Sequence, residues 1–206
     1  MTPESKRQAA VFLDRDGTIN EEVGYLDRLE KLRLVPGAAE AIRLINGSGM
    51  KAVVVTNQSG VARGFFTEAF VDEVHAHLRE MLQKEGASLD GFYFCPHHPT
   101  EGRGRYLRSC NCRKPSPGLL LKAIEEFSLE PECSYMVGDT MKDIEAASRI
   151  GARGILVRTG YGAEAADALD TAEGTEQKSP GGEVRPVHIA GDILAAVRWL
   201  LKDRKP

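Results

Sequence analysis

Residues 11–18, with the sequence VFLDRDGT, decide the fold of this chain. The stretch begins with an apolar run of β-branched and aromatic side chains, which ends abruptly at two acids. Such a run is typical of an inner strand of a parallel sheet that helices cover on both faces. Open α/β sheets bind ligands beyond the carboxyl ends of their strands, so we expect Asp14 and Asp16 to lie in a ligand-binding site.

Asp14 and Asp16 are separated by one residue. On an extended segment their side chains point to the same side, so the two carboxylates repel each other unless a cation lies nearby. Oxygen ligands suit Mg²⁺, which keeps several waters and binds one or two carboxylates beside a substrate phosphate. The alternative interpretation is an acidic turn that follows the strand and binds nothing. The motifs further along the chain favour the interpretation as a metal site.

The composition describes a chain of 206 residues, of which 42% are hydrophobic. This suffices for one well-buried domain and not for two, so we expect a single domain over residues 1–206. The formal net charge is −3, with dispersed lysines and arginines, which gives no reason to expect nucleic acid or a membrane as a partner. No apolar segment approaches the roughly 20 residues that span a bilayer. Without an export signal, a cytoplasmic protein is expected.

Strand and helix patterns alternate along the rest of the chain. We predict buried strands at 52–55, 92–94, 135–137 and 154–157, and helices at 38–46, 67–84, 116–127, 141–151 and 190–201. About five strands alternating with helices specify a doubly wound, Rossmann-like parallel sheet with helices on both faces and no large cap domain. Ser116 is the expected N-cap of its helix.

Three stretches outside this alternation carry further predictions. Residues 20–35 are irregular, and we expect them to form a flap over the end of the first strand. Residues 163–187 are rich in Ala, Glu, Gly, Asp and Pro, which predicts a mobile segment. His75 and His77 are two residues apart on the long predicted helix, so they cannot form an i, i+4 metal pair. We expect both on the surface.

Three more polar groups fall at strand ends or before a helix. The hydroxyl of Thr56 and the backbone amides after it can donate to a phosphoryl oxygen. Lys114 precedes a helix N-terminus, which itself favours anions; a solvated basic residue is the alternative. Asp139 can complete a Mg²⁺ shell opposite Asp14, and we assign Asp143 a supporting role only.

A cluster of cysteine and histidine residues brackets an aperiodic insertion at residues 95–112. Three thiols and an imidazole make a complete tetrahedral Zn²⁺ set with no open position, so we expect a structural site that pins the loop. The predicted ligands are Cys95, His97, Cys110 and Cys112. His98 is an alternative to His97, and Cys133 is expected to be a lone buried thiol.

The order of these motifs resembles that of haloacid dehalogenase phosphatases. The resemblance implies that Asp14 attacks phosphorus and forms an aspartyl-phosphate. It implies that Asp16 is the general acid and base, and that its backbone carbonyl joins Asp14 and Asp139 around Mg²⁺. Thr56 and Lys114 then stabilise the phosphoryl oxygens.

Longer stretches narrow the resemblance to the D-glycero-D-manno-heptose-1,7-bisphosphate 7-phosphatases of bacterial heptose biosynthesis. These stretches are 14–20 (DRDGTIN), 24–25 (GY), 56–60 (TNQSG), 95–98 (CPHH) and 110–115 (CNCRKP). Histidinol-phosphate phosphatases share the zinc ligands, but their zinc loop is typically shorter and an acid tends to stand where Ser59 is here. A third alternative, an inactive zinc-stabilised binding module, requires a lost catalytic residue, and none is lost.

The family resemblance also implies the substrate contacts and the partner. The implied contacts are Glu22, Gly24, Tyr25, Thr56, Asn57, Gln58, Ser59, Arg113 and Lys114. Thr140 departs from members that carry lysine there, which leaves the preferred anomer open. The implied partner is a small phosphorylated sugar, a precursor of lipopolysaccharide or S-layer glycans, and a monomer is expected. We further expect surplus cations to bind a second phosphate: Arg63, Arg103, Arg105 and Arg108.

Overall fold

A computed structural model describes residues 8–172 and 184–204. Within these ranges six strands form one parallel sheet in the order β3-β2-β1-β4-β5-β6. The strands are β1 (Ala10–Leu13), β2 (Lys51–Asn57), β3 (Gly91–Cys95), β4 (Tyr135–Gly138), β5 (Arg153–Val157) and β6 (His188–Ala190). Since β1 pairs with both β2 and β4, the topological switch point of the sheet lies at the end of β1.

Helices cover both faces of the sheet. The α-helices of the described ranges are α1 (Ala38–Gly47), α2 (Ser59–Arg63), α3 (Glu68–Lys84), α4 (Gly118–Phe127), α5 (Met141–Ser148), α6 (Gly162–Ala172) and α7 (Ile193–Asp203). Val11 and Leu13 of β1 pack in the core beneath α1, α3 and α7. Phe12, which points the other way, packs against α4 and α5. None of the described helices is long and apolar enough to cross a membrane.

The predicted doubly wound α/β class is confirmed, with a sixth strand that the pattern did not indicate. Strand β6 has three residues and no apolar run, and it pairs only with β5 at the edge of the sheet. A short edge strand carries too little hydrophobic signal for the sequence to reveal it.

Two element predictions differ from the structure. Residues 163–187 were predicted to be a mobile segment, but α6 forms at Gly162–Ala172 and packs Ala166 against the core; residues 173–183 lie outside the described ranges. Ser116 is not the N-cap of α4. The helix begins at Gly118 without a side-chain cap, and the Ser116 amide instead donates to the carbonyl of Arg113 at 2.8 Å.

His75 was predicted on the surface, and this was also wrong. Its side chain is buried on the inner face of α3, where its ring stacks on Phe92 with centroids 4.7 Å apart. Residue 75 lies four positions after Val71 and next to Val74, both of which are buried, so it belongs to the inward stripe of the helix. His77 is exposed, as expected.

Candidate active site

One pocket opens at the carboxyl ends of β1, β2 and β4. It contains every residue that the sequence predicted to be catalytic or magnesium-binding, and every substrate contact that the family resemblance implied. The lining residues are Asp14, Asp16, Glu22, Gly24, Tyr25, Leu26, Thr56, Asn57, Gln58, Ser59, Gly60, Phe66, Arg113, Lys114, Asp139, Thr140, Lys142 and Tyr161. The flap contributes Glu22, Gly24, Tyr25 and Leu26, so these residues of the flap lie beside the end of β1. The roles of the individual residues remain predictions.

Asp14 directly follows β1, at the switch point of the sheet. Its Oδ1 lies 2.9 Å from Nζ of Lys114 and accepts a 2.8 Å hydrogen bond from the Arg15 amide. The pKa of Asp14 is raised to about 7, mainly by burial and also by the nearby Asp143 and Asp139, while the attraction of Lys114 opposes this rise. A carboxylate in this position gains from any additional positive charge in the pocket.

Lys114 is the buried cation of the site. Its side chain is 2% exposed, and Nζ lies 2.5 Å from Oδ1 of Asp143 and donates to the carbonyl of Val55 at 2.7 Å. Burial alone lowers the pKa of Lys114, but the carboxylates of Asp14 and Asp143 outweigh it and raise the pKa. The ammonium group is therefore charged and held at the floor of the pocket.

Asn57 and Asp143 hold Lys114 in place. The Asn57 side chain accepts from the backbone N–H of Lys114 at 3.0 Å and donates to its carbonyl at 3.1 Å. Asp143 caps α5, accepting from the amide and hydroxyl of Thr140 at 3.1 and 2.6 Å. The supporting role predicted for Asp143 would act on the ammonium group of Lys114. Asn57 holds the backbone of the same lysine.

Asp139 follows β4 and is 1% exposed. Its Oδ2 accepts from the amide of Tyr161 at 2.9 Å. A Cβ atom at Gly17 or Gly160 would lie 2.1 Å from this oxygen, and both glycines have positive φ. Glycine is therefore required at both positions, since a side chain there would displace the carboxylate. Gly160 and Tyr161 were not predicted from the sequence, because no spacing rule links them to Asp139.

The acids of the pocket suit a hard divalent cation. Asp14, Asp139 and Asp143 each place a carboxylate oxygen within 4.8 Å of the others. Asp143 is already engaged by Lys114 and Thr140, which leaves Asp14 and Asp139. Burial raises the pKa of Asp139 to about 7, as it does for Asp14. A raised pKa means that the charged carboxylate lacks compensating positive charge, which a bound Mg²⁺ would supply to both groups through its preferred oxygen ligands.

Asp16 has a different environment from Asp14. Its carboxylate accepts from Nε and Nη2 of Arg15 at 2.8–3.1 Å, from Asn20 at 2.9 Å and from Gln58 at 2.8 Å. Burial on its own raises the pKa of Asp16, but the Arg15 charge and these hydrogen bonds outweigh it and lower the pKa. The carboxylate form is therefore favoured.

The predicted zinc ligands come together in the insertion. The sulfur atoms of Cys95, Cys110 and Cys112 lie 2.9–3.5 Å apart, and Nδ1 of His97 lies 3.2 Å from Cys112 Sγ. The edge of a tetrahedral Zn²⁺–thiolate shell is on the order of 3.7 Å, so one ion fits between these groups. All four ligand atoms lie within 4.8 Å of one another.

The alternative ligand His98 lies outside this cluster. Its Nδ1 accepts from the amides of Thr100 and Glu101 at 3.4 and 2.9 Å. Cys133 is partly buried and packs against the core on the other side of the sheet from the cluster. Of the two candidate histidines, His97 and not His98 therefore lies where it could bind a metal ion together with the three thiols.

The arginines expected at the pocket mouth do not line it. Arg63 pairs with Glu101, and Arg105 lies 3.6 Å from Glu68. That prediction was wrong, because Arg63 of α2 pairs with an acid of the insertion, while Arg105 of the insertion lies beside an acid of α3. Instead, the lining contains Arg113 and Lys142. Among the residues that the structure describes, no carboxylate forms an ion pair with either of them; Arg113 donates to the carbonyl of His97 at 3.3 Å.

A sheet whose switch point carries these acids together with a buried lysine defines the haloacid dehalogenase-like hydrolases. The model of that family matches residues 4–151, and a second, HAD-hydrolase-like model matches residues 111–196. The chain belongs to this family. Within it, the chain belongs to the D-glycero-D-manno-heptose-1,7-bisphosphate 7-phosphatases, as the following relatives show.

The D-glycero-beta-D-manno-heptose-1,7-bisphosphate 7-phosphatase of Pasteurella multocida is 43% identical over 73% of this chain and 82% of its own length. That of Escherichia coli K12 is 42% identical over 76% of this chain and 82% of its own length. The crystal structure of D,D-heptose 1,7-bisphosphate phosphatase from B. bronchiseptica, complexed with magnesium and phosphate, superimposes with a TM-score of 0.78. It is 28% identical and covers 95% of this chain and 99% of its own.

Proposed function

We propose that this protein is a Mg²⁺-dependent phosphatase that removes the 7-phosphate of D-glycero-D-manno-heptose 1,7-bisphosphate. The proposed reaction belongs to bacterial heptose biosynthesis, which supplies envelope glycans. The observation that carries the proposal is the Asp14–Lys114 pair, 2.9 Å apart, in a pocket with two further cations, Arg113 and Lys142. The named relatives support the same substrate.

The proposed reaction has two steps. A carboxylate oxygen of Asp14 bonds to phosphorus while the bond from phosphorus to the sugar oxygen breaks, and Asp16 gives its proton to that oxygen. Water then attacks the aspartyl-phosphate, Asp16 takes a proton from the water, and the bond to Asp14 breaks to release orthophosphate. Lys114 and the Thr56 hydroxyl stabilise the charge on the phosphoryl oxygens throughout.

Mg²⁺, when bound, supplies positive charge that offsets the repulsion between Asp14 and the incoming phosphate. The carboxylates of Asp14 and Asp139 would hold it, with the backbone carbonyl of Asp16. This assignment is supported by the raised pKa values of Asp14 and Asp139.

The two duties of Asp16 make different demands on its protonation. The base of the second step must be ionised, and the hydrogen bonds from Arg15, Asn20 and Gln58 favour that form. The acid of the first step must carry a proton on one carboxyl oxygen, while the other oxygen can keep its hydrogen bonds from Arg15. Asp16 in the described state is therefore ready for the second step.

The second phosphate is assigned to the pocket mouth. Lys114 is neutralised by Asp14 and Asp143, whereas Arg113 and Lys142 have uncompensated charge facing the same pocket. A bisphosphate carries a dianion remote from the reacting group, and a monophosphate with a cationic side chain does not. Remote binding energy of this kind can align the reacting end, so it increases kcat/KM.

Substrate discrimination tests the proposal directly. We expect heptose 1,7-bisphosphate to lose its 7-phosphate with a kcat/KM at least roughly 100-fold above that of histidinol phosphate, or about 2.7 kcal/mol of transition-state binding. Both anomers and histidinol phosphate would be compared by orthophosphate release, with the remaining sugar phosphate identified by NMR. Comparable constants, or removal of the 1-phosphate first, would show that the heptose assignment is wrong.

A pair of lysine variants serves as the control for this preference. Lys142→Met is expected to lower kcat/KM for the bisphosphate by roughly fivefold, matching an exposed ion pair of about 1 kcal/mol, with no loss for histidinol phosphate. Lys122→Met removes the same charge from an exposed position on α4 that does not line the pocket. It should leave both constants unchanged.

Zinc in the insertion is proposed from the four converging ligands. Purified protein should contain about one Zn²⁺ per chain, because the Cys95, His97, Cys110 and Cys112 donors fill a tetrahedral shell. Cys110→Ala should lose this metal and about 2 kcal/mol or more of stability, which lowers Tm by about 4–8 °C in a chain of this size. Elemental analysis and thermal unfolding measure both effects.

Cys133→Ala is the matched control, since Cys133 lies outside the cluster. It should retain the full zinc content. Fully active protein without zinc would refute the structural role.

A further inference from the structure

His75 contacts the acid–base residue through one intermediate side chain. Its Nε2 lies 3.4 Å from Nη1 of Arg15. Because a guanidinium group has donors only, Nε2 must be the acceptor of this hydrogen bond. The opposite edge of the same guanidinium donates through Nε and Nη2 to the carboxylate of Asp16 at 2.8–3.1 Å. His75, Arg15 and Asp16 thus form a continuous chain of contacts.

The whole chain of contacts is shielded from water. Arg15 is 1% exposed, and His75 is 5% exposed. Burial, and the neighbouring charge of Arg15, lower the pKa of His75 to about 3, so the ring is neutral and Nε2 keeps its lone pair. With so little access to water, Nη1 of Arg15 depends on His75 for this acceptor.

The surroundings of His75 fix the direction of that lone pair. Its ring stacks on Phe92 at 4.7 Å and meets Phe94 edge-on at 5.8 Å. An apolar side chain would pack between these rings as well as an imidazole does, without the hydration that a buried imidazole gives up. What the imidazole adds at this position is the acceptor aimed at Arg15.

We infer that His75 is a positioning residue for Asp16. By holding Nη1, it turns the other edge of Arg15 toward Asp16 and keeps the carboxyl group beside Gln58, which donates to Asp16 at 2.8 Å and to Thr56 at 2.9 Å. The inference rests on the proposed acid–base role of Asp16. Neither Arg15 nor His75 exchanges a proton with substrate in this scheme.

Dependence on the leaving group distinguishes this role from simple core packing. An alkyl phosphate needs a proton on its leaving oxygen, which Asp16 supplies, whereas 4-nitrophenolate leaves without one. The constant kcat/KM covers the steps up to formation of the aspartyl-phosphate, where this proton is transferred. A misplaced Asp16 should therefore slow the sugar phosphate more than the aryl phosphate.

His75→Phe keeps a stacking ring and removes the acceptor. We expect it to lower kcat/KM for heptose bisphosphate by about tenfold, a part of the 10²–10⁴-fold typical of acid–base catalysis, and to lower that for 4-nitrophenyl phosphate less than about twofold. His75→Gln restores an acceptor and should return both constants to within about threefold of wild type. His77→Phe makes the same substitution on the exposed face of α3 and should change neither.

His75→Met provides a second apolar replacement if the phenylalanine variant does not fold, and thermal unfolding reports the stability of each protein. Equal losses on both substrates, or no loss on either while the wild type is active, would overturn the inference. Failure of His75→Gln to recover a selective loss would overturn it as well. Inactivity of the wild type toward both esters would instead overturn the proposed function.

Discussion

Asp14→Asn is expected to lose at least about a thousandfold in phosphatase turnover, or about 4 kcal/mol of barrier, while it keeps its fold. The amide is nearly isosteric with the carboxylate, but it cannot attack phosphorus to form an aspartyl-phosphate. The measurement is orthophosphate release, with circular dichroism to confirm the fold. Activity within about tenfold of wild type would rule out the covalent mechanism.

The stability of the same variant provides an independent check on the electrostatics. Burial raises the pKa of Asp14 from its ordinary 3.8 to about 7, so the folded protein holds this proton where the unfolded chain has released it. Metal-free wild type should therefore lose stability as the pH rises from 3.8 toward 7. Asp139 acts in the same direction. Asp14→Asn should show a weaker decline, and an unchanged decline in urea unfolding would contradict the assignment.

Lys114→Met should have the second largest effect, on activity and stability together. It removes a donor to the transferring phosphoryl group, for which a loss of about 10²–10³ in kcat is usual. It also leaves Asp143, which is fully buried, without its cation, and breaking a buried ion pair costs about 3–5 kcal/mol. Urea unfolding in metal-free buffer measures the second effect.

The double variant Lys114→Met with Asp143→Asn separates the two contributions. Removing the unpaired carboxylate should recover much of the stability, because no buried charge at 143 is then left unsatisfied. Turnover should remain lost, since the phosphoryl contact is still missing. Recovery of activity in the double variant would show that Lys114 acts only on the fold.

Local sequence patterns were sufficient for five of the six strands and for the polar residues at their carboxyl ends, whereas the flap residues of the pocket were implied by the family resemblance. The apolar run before Asp14 and the runs before Thr56 and Asp139 each mark a buried strand, and parallel strands place their carboxyl ends at one edge. Residues that directly follow such strands must therefore meet, whatever the length of chain between them. The four predicted zinc ligands were similarly recognisable as a set, because a tetrahedral ion requires a small number of side chains at short spacing.

Prediction of secondary structure and burial from the sequence failed where the hydrophobic pattern was weak or ambiguous. Segment 163–187 has very few large apolar side chains, yet α6 forms at its start, where Ala166 and Leu169 pack against Ile144 and Leu156. His75 looked like a surface residue because histidine is polar, but its position next to Val74 places it on the inward side of α3. Hydrophobic periodicity locates a helix better than it assigns each polar residue on it.

By itself, the sequence determined the parallel α/β sheet, the acid pair at the end of β1 and the four cysteine and histidine residues that cluster in the insertion. Only the tertiary structure decided which cations remain free to meet substrate, since Arg63 is neutralised by Glu101 while Arg113 and Lys142 face the pocket. It alone also joined His75 to Arg15. Both outcomes depend on contacts between side chains that are far apart in the chain. The packing of the helices on the sheet brings these side chains together, so the spacing of residues in the sequence cannot predict the contacts.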